Sequence, residues 1–320
     1  MNQGIHFLPE TASAHAGEMD WLFAGLMITS AMILALVFGL MLVFCVRYRR
    51  NSGAERGNRL GKTWRVEVGW TVATFVLFLG LYFWGANLYL KLHRPPDDTT
   101  DIFVVAKQWM WKVEHPSGQR EINELHVPVD RPIRLVMTSQ DVIHDFAVPA
   151  FRIRRDVLPG RYESMWFRPT KVGQYRLFCA EFCGTEHAHM TGIVTVMEQG
   201  DYQRWLDAQG PGETLVAQGA ALFRQYGCSG CHGPAGTVHA PPLEGLFGRP
   251  VPLADGSMVT ADEGYIRDSI LLPKSRIAAG YPAIMPSYDG QIGEEDLFKL
   301  VSYVKSLGNA SPGAGERPAP

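Results

Sequence analysis

The chain has 320 residues, of which 46% are hydrophobic, enough for two small globular domains and more. A formal net charge of −2 excludes the basic character of a nucleic-acid binder and the strong field that would gather an acidic substrate. The apolar residues are spread unevenly, and that unevenness organises the chain.

Residues 21–46 contain no charged side chain, and neither do residues 68–90. Each run exceeds the ~20 residues a helix needs to cross a bilayer's hydrocarbon core. Aromatics near their ends (Trp21, Phe44 and Tyr48; Trp70, Trp84 and Tyr89) suit the membrane interface. A buried core helix is opposed by the length of the uncharged runs. A cleaved signal peptide is opposed by the late start of the first run, its acidic flank (Glu18, Asp20) and the lack of a basic n-region. The pattern predicts a short external N-terminus at 1–18 and a transmembrane hairpin over 19–92, with helices at about 20–48 and 66–91. Between them stand Arg47, Arg49, Arg50, Arg56, Arg59, Lys62 and Arg65 against Glu55. The positive-inside rule places this loop, 47–65, in the cytoplasm and everything after it outside a bacterial-type cell membrane. The lipid bilayer is thus one partner, and no nucleic acid is expected.

After the helix-breaking His93-Arg94-Pro95-Pro96 the period shortens. Ile133, Leu135 and Met137 alternate with polar or smaller neighbours, and 161–167 and 174–178 are similar runs between Gly-containing turns. About seven strands over 93–207 indicate a β-sandwich or Greek-key barrel. A linker at 208–212 leads to a third region, 213–308, with a helix at 213–225 and another at 294–307, whose Leu297, Leu300, Val301, Val304 and Leu307 share one face. The Gly-, Pro- and Ala-rich tail, 309–320, is expected to be disordered.

Of the five cysteines, Cys45 at a helix end is read as inert. The other four form two pairs, and outside the membrane a disulfide is an alternative for each. Cys228-Ser229-Gly230-Cys231-His232 is the C-x-x-C-H signature of covalent haem c: two thiols add across the vinyl groups and His232 is delivered to the iron. The region resembles a class I cytochrome c. That resemblance implies an all-α domain whose terminal helices cross tightly, here Gly219 and Phe223 against Tyr303. It also implies a second iron ligand from a Met-Pro pair, which Met285-Pro286 matches. Met258 is the reserve candidate and His239 a weaker one. A His/Met pair raises the haem potential and suits electron transfer.

Cys179, Cys183, His187, His189 and Met190 fall within twelve residues, a soft donor set that favours copper or zinc. One blue copper would leave a cysteine over, whereas two bridging thiolates use both; a disulfide is the other reading. The segment Cys179-Ala180-Glu181-Phe182-Cys183-Gly184-Thr185-Glu186-His187-Ala188-His189-Met190 resembles the copper A loop of subunit II of haem–copper cytochrome c oxidases. The resemblance covers nearly all of 20–198 and implies a cupredoxin-like fold. It implies copper ligation by the side chains of His144, Cys179, Cys183, His187 and Met190 and by the Glu181 carbonyl, with the Glu181 carboxylate facing a magnesium ion at the subunit I boundary. His189 falls off the pattern. Asp141 and Glu186 are candidates to tune the ligands. Gln108-Trp109-Met110-Trp111 resembles the family's aromatic stretch, which makes Trp109 the point where electrons enter, although Met110 stands where Tyr is common; ordinary strand aromatics are the alternative. Glu67-Val68-Gly69-Trp70-Thr71 resembles the start of the family's second helix, where the Glu marks a proton pathway; a solvated flank is the alternative.

Neither membrane run contains a histidine, so the chain cannot hold an oxygen-reducing haem–copper centre within them. The resemblance therefore implies an electron-transfer subunit of a terminal oxidase. Electrons would pass from haem c to copper A and on to subunit I for oxygen reduction, coupled to proton translocation, with subunit III as a further partner. Ten Asp/Glu against seven Lys/Arg in 213–307 favour a basic cytochrome or a docked respiratory complex as the donor. A membrane-tethered carrier and a subunit of a nitric oxide reductase remain the alternatives.

Overall fold

In a computed structural model of the chain the described residues are 8–55, 63–209, 213–233 and 240–308. Two long helices come first, α1 (Ala16–Arg47) and α2 (Trp64–His93), both long and apolar enough to cross a membrane. They extend past the uncharged runs because their ends suit the helix dipole: Glu18 and Glu67 lie in first turns, Arg47, Lys91 and His93 in last turns. Apart from Ala16 and Leu88 their side chains are not buried in the protein, which leaves apolar surface for lipid. Gly25 lets the helices approach, since a Cβ there would meet the Trp84 ring at 2.8 Å. Arg56, Arg59 and Lys62 of the basic loop lie outside the described residues.

The outer helix ends are tied to the next domain. Arg152 bonds Asp20 at 2.8 and 3.0 Å, and the Trp166 indole donates to the Lys91 carbonyl at 3.2 Å. That domain is a sandwich of two five-stranded sheets. One contains β1 (Thr100–Lys107), β2 (Met110–Glu114), β3 (Arg120–Ile122), β5 (Ile133–Ser139) and β8 (Glu163–Phe167), in the order β3-β2-β1-β5-β8. The other contains β4 (Glu124–Pro128), β6 (His144–Val148), β7 (Ile153–Val157), β9 (Gly173–Cys179) and β10 (Thr191–Met197), in the order β4-β10-β9-β6-β7. Pairs β1–β5 and β4–β10 are parallel, the rest antiparallel. The core between the sheets holds Trp111, Leu125, Ile133, Leu135, Phe146 and Leu177, all at 0% exposure. Ten strands exceed the seven expected because β3 and β4 are short and only Asn123 (φ 59°) separates them.

Helix α3 (Gln199–Ala208) closes this domain. Its Trp205 stacks on His126 at 4.5 Å, and its Tyr202 bonds His115. The Glu121 carboxylate bonds both imidazoles, at 2.7 Å (His115) and 2.5 Å (His126). Burial pushes this carboxyl up, but the two histidines outweigh it and bring it down to about 2.

The last domain contains α4 (Leu215–Gln225), α5 (Ser229–His232), the two-stranded β11 (Pro250–Pro252) and β12 (Met258–Thr260), α6 (Glu263–Leu271) and α7 (Glu294–Ser306). Helices α4 and α7 cross at Gly219, where a Cβ would sit 2.1 Å from the Lys299 carbonyl oxygen and 2.8 Å from Tyr303 Cβ. Phe223 meets the Tyr303 ring at 5.2 Å. Because the obstruction is backbone, Gly219→Val should force the helices apart and lower the stability of this domain by about 3 kcal/mol. Thermal unfolding followed at the haem would read this, and an unchanged Tm would contradict so close a crossing.

Candidate metal centres

The β6–β9 pairing sets Phe146 opposite Cys179, which brings His144 beside the end of β9. The loop from β9 to β10 is then closed by main-chain bonds: the Cys179 N–H donates to the Met190 carbonyl and the Ala180 N–H to the Asp145 carbonyl, both at 3.0 Å. Five side chains converge as a result. Cys179 Sγ lies 3.7 Å from Cys183 Sγ and 3.9 Å from His144 Nδ1. Cys183 Sγ lies 3.5 Å from His187 Nδ1 and 3.8 Å from Met190 Sδ, and the Glu181 carbonyl oxygen is 3.2 Å from Cys179 Sγ. His144, Cys179, Cys183 and Met190 are buried and His187 is half-buried.

The two thiols are free, and 3.7 Å apart they are far from the ~2 Å of a disulfide. Burial opposes ionisation of both. For Cys179 the His144 imidazole, with main-chain bonds at Asp145 and Glu181 and the Cys183 thiol, outweighs it and lowers the thiol. For Cys183 burial and the neighbouring sulfur act together and push the thiol up. Two adjacent thiolates therefore require a cation between them, and sulfur, imidazole and thioether donors select soft metal ions. The donor set fits a copper centre.

The partners around the donors are specific. Asp141 accepts from His144 Nε2 at 2.8 Å, from the Gln108 N–H at 2.8 Å and from the Val142 N–H at 2.7 Å. With Nε2 carrying the proton, Nδ1 is the free donor beside Cys179. Burial raises the Asp141 carboxyl, yet the Gln108 N–H and the His144 ring outweigh it and hold it below the usual range. Replacing it, Asp141→Asn, should weaken copper affinity roughly 10- to 100-fold. Competition against a chelator would measure this, and unchanged affinity would show that Asp141 does not orient the ring. Glu186 bonds His189 at 2.6 Å instead, on the exposed surface.

Trp109 packs on this loop. Its indole N–H donates to the Cys183 carbonyl at 3.3 Å, and Gln108 Nε2 donates to the same oxygen at 2.8 Å. Gly184 (φ 122°) allows the contact, because a Cβ there would meet Trp109 at 3.1 Å. Gln108 enters the sequence motif only as the neighbour of Trp109, with no role of its own, and here it holds the same carbonyl. Glu67 accepts from Thr63 Oγ1 at 2.6 Å. It sits in the first turn of α2, about 39 Å along the helix from the end that meets the β domain.

The second site is a cavity of about 360 Å³ lined by Cys228, Cys231, His232, Met285 and mainly apolar neighbours. The tight turn ending in Gly227 (φ 75°) starts the short helix α5, which carries Cys231 and His232 directly after Cys228. His232 Nδ1 donates to the Pro241 carbonyl at 3.0 Å. That leaves Nε2 as the unprotonated nitrogen, the arrangement an iron ligand needs. Met258 lies on β12 at 62% exposure and does not line the cavity. His239 lies outside the described residues. Tyr288, which also lines the cavity, donates to the Tyr226 carbonyl at 2.9 Å; isolated in a loop, it carried no signal in the sequence. An apolar cavity with paired thiols and an oriented imidazole fits a covalent haem.

Comparison with known proteins finds matches along most of the chain. Family models match for the cytochrome c oxidase subunit II transmembrane domain at residues 1–84, its periplasmic domain at 118–197, and cytochrome c at 216–308. Cytochrome c oxidase subunit 2 of Alkalihalophilus pseudofirmus is 28% identical over 91% of this chain and 88% of its own length. The alternative cytochrome c oxidase subunit 2 of Bradyrhizobium diazoefficiens is 27% identical over 58% of this chain and 79% of its own. Among solved structures, the periplasmic domain of subunit II of cytochrome oxidase (CoxB) of Bradyrhizobium japonicum is 32% identical, with a TM-score of 0.35, over 36% of this chain and 96% of that one. The chain belongs to the cytochrome c oxidase subunit II family, the membrane-bound electron-transfer subunits of an oxidoreductase complex, and carries a cytochrome c domain at its C-terminus.

Proposed function

We propose that this chain takes electrons at a haem c and passes them through a dinuclear copper centre to the catalytic subunit I of a terminal oxidase. The observation that carries the reading is the pair of thiols 3.7 Å apart, met by His144, His187 and Met190, in the same chain as the Cys228–His232 cavity. When bound, the haem supplies one-electron chemistry near a high potential, and the copper pair a second one-electron site. Cys228 and Cys231 fix the haem covalently, His232 ligates it with its ring held by Pro241, and Met285 offers the second ligand. His144, Cys179, Cys183, His187, Met190 and the Glu181 carbonyl hold the coppers. Burial of His144, Cys179, Cys183 and Met190 keeps water from four of the copper donors and holds them rigid, which lowers the reorganisation each transfer requires.

Trp109, against the carbonyl of Cys183, offers a second entry at the copper centre for a partner's electron that does not pass through the haem. The exposed Glu181 carboxylate serves a magnesium ion at the subunit I boundary. Glu67, at the far end of α2, serves proton uptake into subunit I, and the basic loop 47–65 faces the cytoplasm. Subunit III completes the complex, and a cytochrome c or another respiratory complex delivers the electrons. In rapid mixing with a reductant, the haem of the complete holoprotein should reduce first and the coppers next. Coppers that stay oxidised beside a reduced haem would overturn the order.

A further inference from the structure

The outer face of the first sheet is not a free surface. Phe103 and Val105 of β1 and Val136 of β5 point away from the sandwich core, yet all three are buried. Leu215 of α4 and Phe298 of α7 cover them. The Phe298 ring lies 4.9 Å from Phe103 and stacks on Tyr162 at 4.6 Å, with the planes 21° apart.

Charges close around this apolar seat. Arg134 bonds Asp101 at 2.7 Å on its own domain and Glu263 at 2.6 Å on the cytochrome domain. Lys305 of α7 reaches the same two carboxylates, at 2.7 and 3.1 Å. Burial raises both carboxyls, but the two cations outweigh it and hold Asp101 and Glu263 below their usual range. Each charge of this ring therefore has opposite partners on both domains. Arg267 adds a bond to the Gly160 carbonyl at 2.5 Å and one to Glu294 at 2.7 Å.

Contacts between tethered domains are by default polar and permit motion. Stacked aromatics inside a satisfied charge ring oppose it. We propose that the cytochrome domain is permanently seated on the copper domain and hands its electron across one fixed crevice, rather than swinging on the linker at 208–212. The proposal rests on the haem-to-copper order given above. The crevice, about 510 Å³, has Gln140 and Asp141 on the copper side and Leu271, Asp289 and Ile292 on the cytochrome side. Each wall leads back to a metal site. The Asp141 carboxylate holds His144. The Leu271 carbonyl accepts from Ser287, and the Ile270 carbonyl from the N–H of Tyr288, which lines the haem cavity with Met285. With both groups bound, one electron would pass from the reduced haem to the oxidised copper centre, with no bond or proton changed. Trp109 does not line this crevice.

The test uses the complete holoprotein with both centres oxidised. Pulsed EPR between the haem and copper spins should give one narrow distance, unchanged by added salt. Flash-initiated haem-to-copper transfer should keep its rate as glycerol raises the viscosity. Phe298→Ala combined with Glu263→Lys should broaden the distance and make transfer several-fold slower and viscosity-dependent, with the separate haem and copper spectra unchanged. A broad distance distribution or a viscosity-dependent rate in the parent protein overturns the proposal, whether or not the variant folds. One narrow distance without any transfer would overturn the haem-to-copper order instead and leave the seating in place.

Discussion

Cys183→Ser, and equally Cys179→Ser, should remove the shared-electron EPR signal of the copper centre and lower copper affinity by more than roughly 100-fold, since even a partner one bond beyond a ligand is worth 10- to 100-fold. The geometry gives the reason. The two sulfurs stand 3.7 Å apart and each has its own imidazole, His144 at 3.9 Å from Cys179 and His187 at 3.5 Å from Cys183. Only a sulfur can serve both coppers as a soft, polarisable bridge, and a serine hydroxyl stays protonated and hard. Serine is close to cysteine in size and Met190 still fills the core, so the sandwich should keep its fold. The variant then separates a lost metal centre from a lost domain. Metal content and EPR of the purified variant read the outcome, and a retained two-copper signal would contradict the bridging role.

Replacing both haem-binding thiols, Cys228→Ala with Cys231→Ala, should abolish covalent haem and unfold the cytochrome domain. Without the haem, the apolar walls of a cavity of about 360 Å³ lose the group that they pack against, and a typical domain has only ~5–15 kcal/mol of stability to set against that loss. Fast hydrogen exchange in α4 and α7, with protection retained in β1 to β10, is the expected pattern. Haem that survives a denaturing gel, or full protection in α7, would contradict it. The copper signal should persist, because none of its five side-chain donors comes from the cytochrome domain.

Much of this was legible in the sequence where chemistry is local. The runs at 21–46 and 68–90, the pentapeptide from Cys228 to His232, and the four loop donors from Cys179 to Met190 each lie within one stretch of chain. His144 does not. It stands 35 residues before Cys179, and only the β6–β9 register joins them, so residue spacing alone carried no sign of it and the family resemblance did. Helix α6 is short and has no motif of its own; Asp262 starts it by accepting from the Tyr265 N–H at 2.7 Å.

The domain interface left a weaker trace. In β1, Ile102, Val104 and Ala106 face the core, while Phe103 and Val105 make the run apolar on both sides. A strand with one wet face would alternate instead, so the unbroken run already indicated a second covering layer. Which element covers it depends on the fold of α7, two hundred residues later, and no local pattern contains that.

The central claim, that one chain carries a copper pair and a haem, is tested most directly by metal analysis and EPR of the purified full-length protein. Two coppers sharing one unpaired electron and one covalently bound haem per chain are the predicted result. One haem with no copper, and Cys179 joined to Cys183 in a disulfide, would contradict it.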